Sequence, residues 1–193
     1  MDLALYNLNS GTILNWVTAF CLFEIPLALF YISTCKNKNI DKNDDCIVRN
    51  WYSGKNISIW NVVIQDFFYA FGGIILAVNL FKFLVLNHIV QNIFIVFIIV
   101  FVFIQIFFDS SLAFIVSSWH DNSKHYWITY FKNYIKKTKY NALIGDMIYV
   151  IVWSLTYYFV TSNSDNIFNF DVKLFIISLF IFLLSVYSVK KSL

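Results

Sequence analysis

The apolar residues of this chain fall in runs of about twenty, the length an α-helix needs to cross the hydrocarbon core of a bilayer. Reading these runs along the sequence places spans at about 12–34, 58–80, 89–118, 142–162 and 172–189. They do not alternate with period two. That excludes the closed β-barrel, the other architecture that satisfies its backbone in lipid. Composition agrees: 60% of residues are hydrophobic and 13% charged, against about half and a quarter in a soluble domain. The expected fold is all-α: a polytopic transmembrane helical bundle of about five spans, one integral-membrane domain over residues 1–193.

The polar stretches between the runs set the orientation. Residues 1–11 carry only Asp2 and no basic segment, so the first run reads as a retained helix and not as a cleaved signal. Pro26, the single proline, should kink it. With five spans, loops 36–56 and 120–140 and the C-terminus share one side. Every Lys and Arg except Lys82 and Lys173 lies there. Positive charge marks the cytoplasmic face, so the N-terminus is expected outside and the C-terminus in the cytoplasm. The sequon Asn56-Ile57-Ser58 falls on the cytoplasmic side in this arrangement. Around Asn87–Gln91 the connection is short, which makes spans two and three an antiparallel hairpin.

Within 120–140, Trp127, Tyr130, Phe131 and Tyr134 recur at helical spacing, while Lys132, Lys136 and Lys137 fall largely elsewhere around the helix. This pattern reads as an interfacial amphipathic helix. Its expected partners are the bilayer and the anionic lipids of the cytoplasmic leaflet, with Trp127, Lys132, Lys136 and Lys137 making the surface contact.

Four carboxylates lie inside the apolar runs. Glu24 is in span one, Asp66 in span two, Asp109 toward the end of span three and Asp146 near the start of span four. All four fall in the expected cytoplasmic half, where no Lys or Arg shares their depth. A mid-membrane acid costs roughly 2.5–3.5 kcal/mol on insertion scales, so each must be protonated, hydrogen-bonded, hydrated or cation-bound. Gln105 lies one turn from Asp109, and Tyr69 and Tyr149 lie three residues beyond Asp66 and Asp146. Two readings stay open. Asp66 and Asp146 sit near helix N-termini, where the macrodipole favours negative charge. Alternatively, Glu24, Asp66, Gln105, Asp109, Asp146, Tyr69 and Tyr149 form one polar intramembrane cluster.

A repeated pattern supports the second reading. Residues 61–69 and 141–149 both match N-x-x-I-x-D-x-x-Y, through Asn61, Ile64, Asp66 and Tyr69 and through Asn141, Ile144, Asp146 and Tyr149. Spans 2–3 and 4–5 would then be parallel hairpins, as in transporters built from repeats.

Other chemistry is not indicated. Cys21, Cys35 and Cys46 form no C-x-x-C and read as free thiols in a reducing compartment. His88, His120 and His125 lack metal-ligand spacing. No Ser/His/Asp arrangement or H-E-x-x-H is present, so no catalytic residues, metal or cofactor are expected, and no nucleic-acid partner.

The segments Phe131-Lys132-x-Tyr134, Ala142-x-Ile144-Gly145-Asp146-x-x-Tyr149, Gln65-Asp66-x-x-Tyr69 and Gln105-x-x-x-Asp109 resemble a group of small multi-pass membrane proteins of giant viruses, the nucleocytoplasmic large DNA viruses. The resemblance implies a viral inner membrane or a host internal membrane as the location. It supplies no catalytic residues. Two functions follow as expectations: a non-enzymatic component of a viral or virus-modified membrane, or a proton- or cation-conducting transporter or channel using the acids. Five spans are few for a monomeric transporter, so the second requires a homo-oligomer.

Overall fold

A computed structural model describes residues 7–34, 59–91, 93–119, 126–138 and 140–192. Among these the chain forms six helices and no strand: α1 Ser10–Thr34, α2 Ile59–Leu86, α3 Phe94–Ser118, α4 Tyr126–Thr138, α5 Tyr140–Ser162 and α6 Phe170–Ser192. Local chemistry sets several of these limits. Asn9 caps α1 by accepting the Thr12 N–H at 2.9 Å, and Asn169 caps α6 by accepting the Val172 N–H at 3.0 Å. α2 stops at His88, whose φ of 55° is left-handed; the N–H groups of His88 and Ile89 fold back onto the carbonyls of Val85 and Leu84. Beyond Asp109, α3 runs on as helix to Ser118. α1 passes through Pro26 without ending.

Three helices are long and apolar enough to cross a membrane: Trp60–Leu86, Phe94–Ser118 and Tyr140–Ser162. Three among the described residues is fewer than the five expected from the sequence. The physical reason lies in the other two. The rest of α1 mixes Thr12, Asn15, Thr18 and Glu24 into its apolar residues, and the side chains of residues 28–34 in α1 and 187–192 in α6 lie outside the described residues. Loop 35–57, with Arg49, Asn56, Cys35 and Cys46, and residues His120 and His125 also lie outside them.

The five long helices close into a ring. α1 packs on α5, α5 on α3, α3 on α2, α2 on α6, and α6 returns to α1. Aromatic side chains from all five fill its middle. Trp16 stacks on Tyr157 with ring centroids 3.8 Å apart and meets Trp153 edge-on at 5.6 Å. Phe97 and Phe101 of α3 close on Trp16 at 6.2 and 6.3 Å. Phe20 touches Phe67 of α2 at 5.1 Å and Phe180 of α6 at 6.0 Å. Such edge-on and offset contacts add about 0.5–1.5 kcal/mol per pair beyond burial.

Small residues let α2 and α3 approach. Ala70, Gly73 and Ala77 are buried, and a Cβ on Gly73 would lie 3.2 Å from the Phe101 ring. The outer face carries the opposite chemistry: Phe68, Phe103 and Phe107 are about two-thirds exposed and Phe114 is 75% exposed. An apolar surface this continuous calls for lipid or protein against it.

The packing revises the expectation of two parallel hairpins. α2 and α3 lie side by side, but α6 packs chiefly against α1 and more lightly against α2. α5 and α6 are joined at their connecting turn, where Phe159 meets Phe168 at 5.5 Å and buried Lys173 donates to Ser164 Oγ at 3.1 Å. At the opposite end of the ring α4 lies against α3 and α5.

Candidate functional site

The two copies of the repeated pattern present the same faces. Asn61 and Ile64, like Asn141 and Ile144, are exposed, while Asp66, Tyr69, Asp146 and Tyr149 turn inward to partial burial. Helical spacing dictates this, since positions i, i+3 and i+5, i+8 of the pattern fall on different sides of a 3.6-residue helix. Each inward Tyr then reaches a carboxylate on the next helix of the ring. Tyr69 of α2 donates to Asp109 Oδ1 on α3 at 2.7 Å. Tyr149 of α5 donates to Glu24 Oε2 on α1 at 3.0 Å. Glu24 is 1% exposed, so the phenol serves a carboxyl removed from solvent.

Gln105 completes the α3 side of the site. It is 4% exposed, and its Nε2 donates to Asp109 Oδ1 at 2.9 Å. The i, i+4 relation on one helix makes this bond almost automatic. Asp109 Oδ1 thus has two donors, whereas its Oδ2 and Gln105 Oε1 are buried with no hydrogen-bond partner among the described residues. Buried acceptors of this kind are rare and call for an explanation.

Asp146 of α5 lies within electrostatic range of Asp109 on α3 and of Asp66 on α2. The Tyr149 phenol is under the charges of Glu24, Asp66 and Asp146 together, and that of Tyr69 under Asp109 and Asp146. Depth agrees. Asp66 is seven residues inside Ile59, Asp146 six inside Tyr140 and Asp109 nine from Ser118. At 1.5 Å per residue these are about 9–14 Å from the helix ends nearest α4. Neither Asp109 nor Asp146 has a Lys or Arg partner among the described residues. No three His, Cys, Asp or Glu side chains there are grouped to hold a metal ion.

Compared with protein-family models, curated proteins and solved structures, the chain has no match. Its function has to be argued from the site alone.

The surface residues stand elsewhere. Trp127, in the first turn of α4, donates through Nε1 to Gln65 Oε1 at 3.1 Å. Its ring packs on Phe131 at 4.6 Å. Ile128 and Tyr130 are buried, so part of the aromatic face that the sequence assigned to a leaflet is turned into the bundle. The reason is continuity: α5 follows one residue after α4, and its neighbour α3 offers an apolar end to cover. Lys136 and Lys137 remain exposed, and Lys132 Nζ donates to the Trp119 carbonyl.

Sequence reasoning missed the aromatic layer. Tyr149, Trp153 and Tyr157 recur every four residues, a stripe readable in advance. What was not readable is that the Trp153 indole donates to the Trp16 carbonyl at 3.1 Å, tying α5 to α1 just beyond the acids. It also missed Asn15, whose Nδ2 donates to Thr161 Oγ1 at 3.2 Å on the far side of that layer.

Proposed function

We propose that this chain is a non-enzymatic, five-span integral membrane protein whose acid layer binds and exchanges protons. One observation carries the reading: Asp109 and Glu24, on separate helices of a closed ring, each accept a hydrogen bond from a tyrosine of a neighbouring helix, Tyr69 and Tyr149, and Gln105 also donates to Asp109. Acids isolated at helix N-termini would explain Asp66 and Asp146 singly, but not the reach of both tyrosines to carboxyls on neighbouring helices. Carboxyls held close share protons, because like charges in one site cannot all ionise freely. Phenol–carboxyl bonds suit a proton better than a hydrated cation, which would have to displace them. Beyond the acids the aromatic layer fills the ring, so exchange from the α4 side is the simplest route.

The positive-side bias supports a cytoplasmic location for that end and an outside N-terminus. The resemblance to giant-virus membrane proteins supports a viral or virus-modified internal membrane as its setting. Lys136 and Lys137 on the outside of α4 suit anionic lipid headgroups.

The test is proton flux in proteoliposomes under a pH gradient, comparing wild type with Asp66→Asn, Asp146→Asn and the double variant. The expected result is a flux that the Asp146→Asn change abolishes while insertion is unchanged. Absence of flux from folded wild-type protein would remove the transport role and leave a structural membrane component.

A further inference from the structure

The Gln105 carboxamide and the Asp109 carboxyl lie one turn apart on α3, and Gln105 Nε2 donates to Asp109 Oδ1 at 2.9 Å. The second oxygen of each group, Asp109 Oδ2 and Gln105 Oε1, is buried with no hydrogen-bond partner among the described residues. Turning the amide over does not relieve this. Oε1 would then meet Oδ1, an acceptor that already holds the Tyr69 hydroxyl at 2.7 Å. An ionised carboxylate only accepts, and so does an amide oxygen. With Asp109 ionised, the two side chains therefore hold two buried acceptors and no donor for them.

The surroundings narrow what can supply one. Gln105 Oε1 lies 3.8 Å from where a Cβ on Gly73 would stand, and that Cβ would press on the ring of fully buried Phe101. The α2 main chain and an aromatic ring thus cover the amide oxygen. From other helices, the Tyr69 hydroxyl of α2 is spent on Oδ1, and Asp146 of α5 brings a second acid, itself in range of Asp66. Lys132 of α4 donates to the Trp119 carbonyl, ten residues along α3 from Asp109, which is about 15 Å.

We infer that Asp109 is the carboxyl that holds the proton of the acid layer, on Oδ2, and that Gln105 fixes it there by accepting through Oε1 while donating through Nε2 to Oδ1. The inference rests on the reading of the layer as a proton site, and names the atom that carries the proton and the residue that selects it. A carboxylic acid and a primary amide form a cyclic pair: amide N–H to one carboxyl oxygen, acid O–H to the amide oxygen. The first of these two bonds is present, and the atoms that the second would join are the two without partners. One proton therefore satisfies both, and it removes a buried charge, which is costly to leave without a counter-ion. A hard cation takes about six or more oxygen ligands, far more than the two left open here.

Infrared spectroscopy of the full-length protein in lipid vesicles at neutral pH tests this. Wild type should show a protonated-carboxyl carbonyl band that Asp109→Asn removes. In Gln105→Met the band should move to higher frequency, because the acid loses both bonds to the amide. Stability reads the pair without altering Gln105. Asp109→Asn puts an N–H where the acid O–H stands and should leave the unfolding midpoint unchanged, whereas Asp109→Leu, with neither donor nor acceptor, should lower it. No band lost in Asp109→Asn would overturn Asp109 as the carrier. An unmoved band in Gln105→Met, or equal destabilisation by Asn and Leu, would overturn the part of Gln105. A band that appears only when sodium and potassium are withdrawn would assign the site to a cation and overturn the inference. Proton flux across the same vesicles is read separately. Band without flux would end the exchange role and leave the proton on Asp109; flux without the Asp109 band would keep the layer as a proton site and overturn the inference.

Discussion

Tyr69 and Asp109 offer the sharpest energetic test of the site. The phenol donates at 2.7 Å to an oxygen that also receives the Gln105 amide at 2.9 Å. Hydrogen bonds to charged groups contribute about 1.5–3 kcal/mol in water-soluble proteins. Between membrane helices the measured average is nearer about 0.6, with a maximum of about 1.7 kcal/mol. Tyr69→Phe removes only the hydroxyl, and Phe keeps the ring contact with Phe108 at 5.7 Å. The expected loss is therefore about 1 kcal/mol, with Gln105 still holding Asp109 in place. Asp109→Ala removes the acceptor for both donors, and the double variant should show a coupling of about 1 kcal/mol. The assay is reversible unfolding in bicelles, followed as a double-mutant cycle. Tyr149→Phe combined with Asp109→Ala is the control, because Tyr149 bonds Glu24 instead; its coupling should fall below about 0.5 kcal/mol. A Tyr69–Asp109 coupling under about 0.3 kcal/mol, the level at which independent sites simply add, would refute the pairing.

Three further outcomes are expected. Gly73→Ala should destabilise by about 1 kcal/mol, since its Cβ would press on fully buried Phe101 at 3.2 Å, whereas Gly145→Ala meets nothing within 4 Å and should be neutral or stabilising by up to about 1 kcal/mol; thermal or denaturant midpoints separate the two. Trp16→Ala removes the ring on which Tyr157, Trp153, Phe97 and Phe101 converge and should cost about 3–5 kcal/mol, read by the same unfolding assay, with unaltered stability counting against the aromatic core. On insertion into endoplasmic reticulum, Asn56 should stay unglycosylated despite its sequon, and a glycan there would invert the orientation.

Helix positions were legible because runs of about twenty apolar residues leave little freedom: an observed helix lies at each of the five runs, with limits shifted by up to six residues, and three of these helices are long and apolar enough to cross a membrane. The inward placement of Asp66, Tyr69, Asp146 and Tyr149 follows from helical spacing, and so does the Gln105–Asp109 bond. Ring order was not legible. Which helix neighbours which depends on the fit of Trp16 between Tyr157 and Phe97, a property of shape that a one-dimensional pattern does not carry. For that reason α6 was expected along α5 and is found against α1. The aromatic face of α4 was read as lipid-facing for a similar reason: amphipathicity shows that a face is apolar, not whether lipid or protein covers it.

The account stands on carboxyls from separate helices forming one protonatable site, and Asp109 with Asp146 tests it most directly. The measurement is a pH titration of the Asp109 side-chain carbon by NMR, on full-length protein with 13C-labelled aspartate in nanodiscs, in wild type and in Asp146→Asn. Interacting carboxyls titrate as a pair, in two separated steps that belong to both. The account predicts a two-step curve for Asp109 in wild type that collapses to a single step at a shifted midpoint in Asp146→Asn. Superposable single-step curves in the two proteins would contradict it.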